Sequence, residues 1–139
     1  MISFNYEIDF ALENEDLYSE WIESVVESEG KTLGEINYIF CNDEYLHQIN
    51  MQYLNHDTLT DIISFDYTEG DIISGDIFLS IERVKDNAKD FEVPFSEELK
   101  RVMAHGVLHY CGYKDKSEAD EQLMRAKEEE KIVMFHVKH

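Results

Sequence analysis

The spacing of apolar residues along this chain alternates between a period of two, typical of strands, and a period of about 3.6, typical of helices. Of all features of the sequence, this alternation limits the possible folds most. From Ile2 to Ile8 apolar side chains occupy every second position, which predicts a strand with one buried face. Residues 15–29 instead place apolar side chains on one helical stripe, and Gly30 is the predicted end of that helix. The chain therefore opens with a strand followed by a helix.

The same two patterns then repeat. Residues 35–41, "EINYIFC", alternate again and predict a second strand. A second helix is expected to follow, with Asn42 as its N-cap and acidic residues in its first turn. The segment 55–60, "NHDTLT", is polar and is predicted to be a loop.

The middle of the chain predicts a hairpin. "DIISFDY" and "GDIFLS" are short apolar segments with strand character. The residues between them, "TEGDIIS", are the expected connection.

The remaining chain has helical patterns. One helix is predicted from Ser80 and is interrupted at Pro94. A second runs from Ser96 to Gly112, and a third begins at Ser117 with acidic residues in its first turn. The order β-α-β-α-β-β-α-α-α predicts an α+β fold, a small mixed sheet covered mainly by helices.

Length and charge limit the possible functions. The 139 residues fit one domain, and we expect a single domain over 1–139. The formal net charge is −19, so the protein repels phosphate backbones at long range. A nucleic-acid role then requires a local cation, a small basic patch or a protein partner.

The sequence features that bear on cellular location agree with a cytoplasmic protein. No apolar run approaches the roughly 20 residues of a membrane span, and the N-terminus has no signal-peptide pattern. The two cysteines, Cys41 and Cys111, belong to no CxxC pair and are expected to be reduced and buried. We therefore expect a cytoplasmic protein with no membrane association.

The stretch "HGVLHYCGYKDK", residues 105–116, has the spacing of a metal site. His105 and His109 lie four residues apart, so one helical face can present both imidazoles to one metal ion. Gly112 can adopt the left-handed conformation that reverses the chain after a helix. Asp115 can then return over the two imidazoles as a third ligand, with a fourth position open for water.

One alternative to a metal site and one difference from zinc peptidases bear on this interpretation. The histidines can be ordinary helical residues satisfied by hydrogen bonds, with Asp115 capping the next helix. In addition, zinc peptidases place a glutamate after the first histidine as general base, and this chain has Gly106 there. Either the metal itself must lower the pKa of its bound water, or a carboxylate such as Asp61 or Asp76 must act as base. Asp61 and Asp76 can equally serve on the surface or in a turn.

The same residues resemble the YbeY family of bacterial endoribonucleases. "HGVLHYCGYKD" follows the family signature HGxLHxxGYDH through the glycine and tyrosine. "LTDIISFDY" is similar to the family segment TDVLSFP, and "GDIFLS" is similar to its GDIxIS strand. These matches occur in the family's order and, with the acidic helix that follows, cover roughly residues 42–131.

The resemblance implies a metal-dependent enzyme. It implies an α+β fold, one zinc-type metal ion, and His105 and His109 as metal-binding and catalytic residues. It also implies cleavage of single-stranded RNA during small-subunit ribosomal RNA maturation in the cytoplasm, with the small ribosomal subunit or a ribosomal protein as partner.

Two positions depart from the family pattern. Asp115 stands where the family has its third histidine, and Lys114 stands where it has aspartate. Asp115 can still bind a metal, but its charge should leave the metal a weaker Lewis acid and makes a divalent ion other than zinc easier to accommodate. Leu54 occupies the position of a family arginine, for which the nearby His56 is a candidate substitute.

Several further residues are candidates for substrate binding, and Asp61 and His56 are counted among them. Lys114 and Lys116 flank the third ligand and can contact phosphates, or can simply reduce the acidity of the surface. Lys100 and Arg101 precede the ligands and can form a small basic edge. Tyr113 can stack on a base, although packing beneath the ligand loop is the simpler interpretation.

Two other functions stay open from the sequence. The first is a non-catalytic ribosome-assembly factor in which a metal only fixes the C-terminal helices. The second is a metal-dependent hydrolase of another substrate, which Gly106 argues against for peptides. His136 and His139 lie near the C-terminus in "HVKH", a weak metal motif that we assign to a tail.

Overall fold

The computed structural model describes residues 1–54 and 61–138, without the side chains at 54, 137 and 138. The elements in chain order are β1 (Ile2–Tyr6), α1 (Glu15–Ser28), β2 (Thr32–Cys41), α2 (Asp43–Leu54), β3 (Ile62–Asp66), β4 (Ile72–Ser80), α3 (Ile81–Asp90), α4 (Phe95–Tyr110) and α5 (Glu118–Lys138). This is the predicted order, and the α+β class is confirmed.

The four strands form one mixed sheet in the order β1-β2-β4-β3. β1 pairs with β2, and β2 with β4, in parallel; β3 pairs with β4 in antiparallel fashion. Parallel neighbours require a crossover, and here α1 connects β1 to β2 while α2 and β3 lie between β2 and β4. The hairpin of β3 and β4 therefore places the antiparallel strand at one edge.

The core lies between one face of the sheet and helices α1 and α4. Alternate residues of β2 and β4 are fully buried there, among them Tyr38 and Ile77, together with Trp21 of α1 and Met103 of α4. Burying a side chain of this size contributes about 1.5–3 kcal/mol. The apolar faces that the period-two and period-3.6 patterns predict for strands and helices thus pack against each other in one core.

Helix α4 approaches the sheet closely at Gly106. A Cβ atom added there would lie 2.9 Å from Ile77 Cδ1 and 3.1 Å from Ile62 Cδ1. Contacts this short leave little room for a larger side chain. Zinc peptidases have a catalytic glutamate at this position. Here the position faces the sheet, and only a glycine fits without displacing its neighbours.

Several element boundaries differ from the sequence predictions. β4 begins at Ile72, because Ile72 and Ile73 continue the pairing with β2, so the hairpin connection is shorter than "TEGDIIS". α4 begins at Phe95, one residue before the predicted start. His136 belongs to α5 and not to a tail, whereas His139 lies outside the described residues.

The predicted N-cap of α2 is confirmed, and α5 begins with a similar cap. Tyr45 N donates to Asn42 Oδ1 over 2.8 Å at the start of α2. Asp120 N donates to Ser117 Oγ over 3.0 Å at the start of α5. Such caps satisfy backbone N–H groups that a helix leaves without partners in its first turn.

Buried polar contacts attach α5 to α1. The Lys131 ammonium, 1% exposed, donates to Glu29 Oε2 over 2.7 Å and to Ser28 Oγ over 2.8 Å. Trp21 Nε1 donates to the Lys131 carbonyl oxygen over 2.7 Å. These contacts hold the C-terminal helix across the core, which determines where its inner face meets α4.

Both cysteines are unpaired thiols, Cys41 buried and Cys111 half-buried. Burial raises the pKa of the Cys41 thiol to about 12 and that of Cys111 to about 11, so both are protonated at neutral pH. Over residues 1–54 and 61–138, no helix has the length and apolar character of a membrane span.

Candidate metal centre

Helix α4 and the turn after it bring the three predicted ligands together. His105 and His109 lie one turn apart, with their Nε2 atoms separated by 2.9 Å. Gly112 has φ +108°, and the chain reverses there. Asp115 Oδ2 then lies 3.5 Å from His105 Nε2 and 3.3 Å from His109 Nε2. The three donor atoms lie within 4.8 Å of one another.

The opposite nitrogen of each imidazole has a defined partner. His109 Nδ1 lies 2.9 Å from the Tyr113 carbonyl oxygen, which can only accept, so Nδ1 carries the proton. His105 Nδ1 lies 2.7 Å from Glu128 Oε2. In the neutral rings both Nε2 lone pairs then face the Asp115 carboxylate. Lone pairs that converge in this way require a shared cation or proton.

The His105 environment favours positive charge. Burial acts to lower its pKa, but the hydrogen bond to Glu128 raises it, and the charges of Asp115 and Asp61 raise it further, so that the pKa lies above its usual value. The carboxylates that favour a proton here favour a metal ion for the same reason.

The chemistry of the donor set fits a divalent metal. Two imidazole nitrogens and one carboxylate oxygen are ligands that zinc and neighbouring transition metals accept. A metal site needs at least three histidine, cysteine or acidic side chains with their ligand atoms close together. In the described part of the chain, His105, His109 and Asp115 form such a group.

Glu128 of α5 links the ligand helix to a buried ion-pair network. Its Oε1 lies 3.4 Å from Arg101 Nη1. Arg101 also pairs with Glu129 and, at 3.6 Å, with Glu98. Arg101 is therefore neutralised beneath the site and does not form the basic edge expected from the sequence.

Lys100 does not supply that basic edge either. The Lys100 side chain is buried, and its Nζ lies 4.3 Å from the centroid of the Phe135 ring. Burial lowers the pKa of this ammonium. The expectation failed because α5 covers both side chains, and the position of α5 is not readable from residues 100–101 alone.

A cavity of about 460 Å³ opens onto the three candidate ligands. Its wall also includes Asp61, Asn87, Phe91 and Arg125. Of these, only Asp61 was a candidate from the sequence. Phe91 follows α3 and Arg125 lies on α5, so no local motif connects them with the ligand helix.

Asp61 is the sequence-predicted carboxylate that reaches the cavity. Burial raises the pKa of its carboxyl group, which makes its carboxylate a better proton acceptor than one in water. Asn87 Nδ2 donates to Asp61 Oδ2 over 3.4 Å. Asp76 instead accepts a hydrogen bond of 2.9 Å from Asn37 and lines a different cavity.

The other sequence candidates lie elsewhere. Lys114 and Lys116 are exposed and do not line the cavity. Tyr113 donates its hydroxyl proton to Glu29 Oε1 over 2.6 Å and packs against the core, which agrees with a packing role beneath the ligand loop. His56 and the side chain of Leu54 lie outside the described residues.

The fold and the donor set define an α+β protein with a candidate divalent-metal centre on a two-histidine helix. The family model described as endoribonuclease YbeY matches residues 4–136. The chain therefore belongs to the endoribonuclease YbeY family, whose named activity is hydrolysis of phosphodiester bonds within RNA.

Individual relatives agree with this membership. Endoribonuclease YbeY of Flavobacterium johnsoniae is 72% identical over 137 residues, covering 99% of each chain. The Flavobacterium psychrophilum protein of the same name is 71% identical over 138 residues, again covering 99% of each chain. A Thermotoga maritima protein of known solution structure has a TM-score of 0.69 at 25% identity, over 97% of this chain and 89% of that one.

Proposed function

We propose that this protein is a metal-dependent endoribonuclease that cleaves single-stranded RNA during maturation of small-subunit ribosomal RNA. The observation that carries the proposal is the convergence of His105 Nε2, His109 Nε2 and Asp115 Oδ2 at the wall of an open cavity. Membership of an endoribonuclease family supports the choice of substrate. The proposed site of action is the cytoplasm.

His105, His109 and Asp115 are the proposed ligands of one divalent ion, zinc in the first instance. When bound, such an ion supplies a Lewis acid that activates water and neutralises charge on the phosphate undergoing attack. The Asp115 carboxylate makes this Lewis acid weaker than three neutral imidazoles would. A different divalent metal is therefore a specific alternative for this chain.

The surrounding residues orient the ligands. The Tyr113 carbonyl oxygen fixes the tautomer of His109, and Glu128 fixes that of His105. Both rings are thereby held with their Nε2 atoms toward the cavity. This preorganisation avoids the cost of turning the rings when substrate arrives.

Asp61 is the proposed proton acceptor. In hydrolysis, the oxygen of water bonds to phosphorus, and one proton of that water passes to the Asp61 carboxylate. The bond from phosphorus to one ribose oxygen breaks, and the leaving ribose oxygen takes a proton from solvent water to become a hydroxyl group. Its burial raises its basicity, and it lines the cavity with the ligands. Gly106 leaves no glutamate on the ligand helix for this task.

The net charge of −19 shapes the choice of partner. A surface of this charge repels free RNA at long range. Docking on a ribosomal protein or on the small ribosomal subunit would bring the cavity to RNA without relying on the protein's own field. We therefore propose a ribosomal component as the protein partner.

The experiment combines elemental analysis with cleavage. Purified protein is tested for bound metal, then on matched single-stranded and duplex RNA, with and without chelator. Metal-dependent cleavage of the single strand alone is expected, with loss in His109→Ala and retention in His136→Ala, whose side chain is exposed and does not line the cavity. Metal-dependent stabilisation without any cleavage would favour a non-catalytic assembly factor instead.

A further inference from the structure

We propose that Arg125 and Phe91 form a nucleotide-binding subsite beside the metal centre, in which Arg125 binds an RNA phosphate and Phe91 stacks on an unpaired base. The inference rests on the proposed function, because it assumes that RNA enters the cavity. Neither residue belongs to the signature around the histidines, and both reach the cavity from other elements.

The case for Arg125 comes from its charge. Its exposed side chain lines the main cavity with His105 and Asp115, and also a smaller adjoining cavity of about 250 Å³. Within residues 1–54 and 61–138 it forms no ion pair, and its charge acts only at longer range on Glu98 of the same wall. Arg101, the other arginine of the wall, is neutralised by glutamates of α4 and α5. Of the two arginines that line this cavity in the described part of the chain, Arg125 is therefore the one whose charge is available to a ligand.

A free cation matters here because the wall is otherwise acidic. Asp61, Glu98, Asp115 and Glu128 all line the same cavity. A phosphodiester approaching them needs positive charge beyond that of a single metal ion. A guanidinium suits this task, since its planar donors can engage two phosphate oxygens at once.

The case for Phe91 comes from its exposure. Its side chain is 55% exposed, although it lies on the wall of a cavity. Its backbone is held in place, because Phe91 N donates to the Asn87 carbonyl oxygen over 2.9 Å and Glu92 turns the chain at φ +56°. An exposed aromatic ring on a fixed segment of backbone is a stacking surface for a nucleobase.

Together the two residues account for a preference for single strands. Stacking on Phe91 requires a base that is free of its own neighbours, whereas a base inside a duplex is already stacked on both sides. Phosphate binding by Arg125 tolerates any sequence. The subsite therefore predicts recognition of unpaired RNA with little dependence on base identity.

The test measures binding of a fluorescein-labelled octauridylate by anisotropy, in chelator and over a series of KCl concentrations. For a single strand, each phosphate contact contributes about 0.7 to the slope of log K against log salt. Arg125→Gln should reduce the slope by about 0.7. Phe91→Ala should weaken binding about 5- to 150-fold, the range of one lost base stack, with the slope unchanged.

Two matched variants control for general effects. Lys89→Gln makes the same change in net charge, and Lys89 lines a different cavity. Tyr67→Ala removes an aromatic ring that is 59% exposed and lines another cavity. Both controls should bind RNA as the unmodified protein does. Equal melting temperatures for all variants would exclude a folding defect.

A second measurement uses the metal-loaded enzyme. Cleavage of the same oligonucleotide should show a raised KM and a nearly unchanged kcat in both subsite variants. If the unmodified protein neither binds nor cleaves RNA, the proposed function itself fails. If it does both, and Arg125→Gln and Phe91→Ala match their controls in slope, affinity and KM, the subsite is overturned.

Discussion

His105 Nδ1 lies 2.7 Å from Glu128 Oε2, so a carboxylate on α5 orients a candidate metal ligand on α4. Glu128 is buried and also pairs with Arg101 at 3.4 Å. The carboxylate therefore has one fixed position from which it can both hold the ring and increase the basicity of its Nε2 atom. Helix α5 is in this sense part of the candidate metal centre, although it contributes none of the three candidate ligands.

Replacing Glu128 with glutamine should weaken metal binding about 10- to 100-fold. The amide oxygen can still accept from His105 Nδ1, but the negative charge that favours the cation is lost. Competition with a chromogenic chelator measures the affinity. Glu118→Gln, in the exposed first turn of α5, should bind metal normally; equal affinities in the two variants would contradict the role of Glu128.

Removing the third candidate ligand should remove most of the stabilisation by metal. A divalent ion at 100 times its Kd stabilises the folded state by about 2.7 kcal/mol, which raises Tm on the order of 10 °C for a domain of this size. Asp115→Ala should lose most of this rise. Its metal-free Tm should change little, because the Asp115 side chain is 46% exposed. Thermal melts with and without zinc make the comparison; a full rise in the variant would remove Asp115 from the ligand set.

Gly75 of β4 should tolerate no side chain. A Cβ atom there would lie 2.4 Å from the Tyr110 ring and 2.5 Å from the Phe65 carbonyl oxygen. Gly75→Ala should therefore destabilise the fold by about 1–3 kcal/mol through overpacking. Urea denaturation measures this loss.

Gly70→Ala provides the matched control for that substitution. An added Cβ at Gly70 meets nothing within 4 Å, and φ is +59°. Only the conformational cost of about 1 kcal/mol is expected there. A smaller loss of stability at Gly75 than at Gly70 would mean that β4 and α4 are farther apart than these distances.

Glu29 should contribute stability that depends on pH. Burial acts to raise its pKa, but hydrogen bonds from Lys131 and Tyr113 lower it below the usual value of 4.5. A lowered pKa in the folded state adds stability above the unfolded pKa, and this stability is lost as pH falls through the folded value. Glu29→Gln should therefore be less stable than the unmodified protein at pH 7, with the difference shrinking below about pH 4.5.

Denaturant unfolding at pH 7 and at pH 3.5 tests this dependence. Glu27→Gln, exposed at the end of α1 two residues before Glu29, should differ little from the unmodified protein at either pH. A stability difference for Glu29→Gln that stays constant across the range would show that its carboxylate charge is not the source.

The order of elements and the ligand motif were readable from local pattern. Periodicity and caps such as Asn42 report on a few consecutive residues, and His105, His109 and Asp115 lie within eleven positions. One helical turn and one glycine reversal bring these three together whatever the rest of the chain does. Their convergence required no knowledge of long-range packing.

Asp61 apart, only the tertiary structure identified the residues around them. Glu128, Arg125 and Phe91 reach the cavity because α5 and the end of α3 pack against α4, and no spacing in the sequence encodes those contacts. The same packing buried Lys100 and Arg101, which looked like a free basic edge. Charge and burial at a site depend on which helices cover it. Local sequence therefore specified the candidate ligands, whereas the packing of distant helices decided their hydrogen-bond partners and the shape of the cavity.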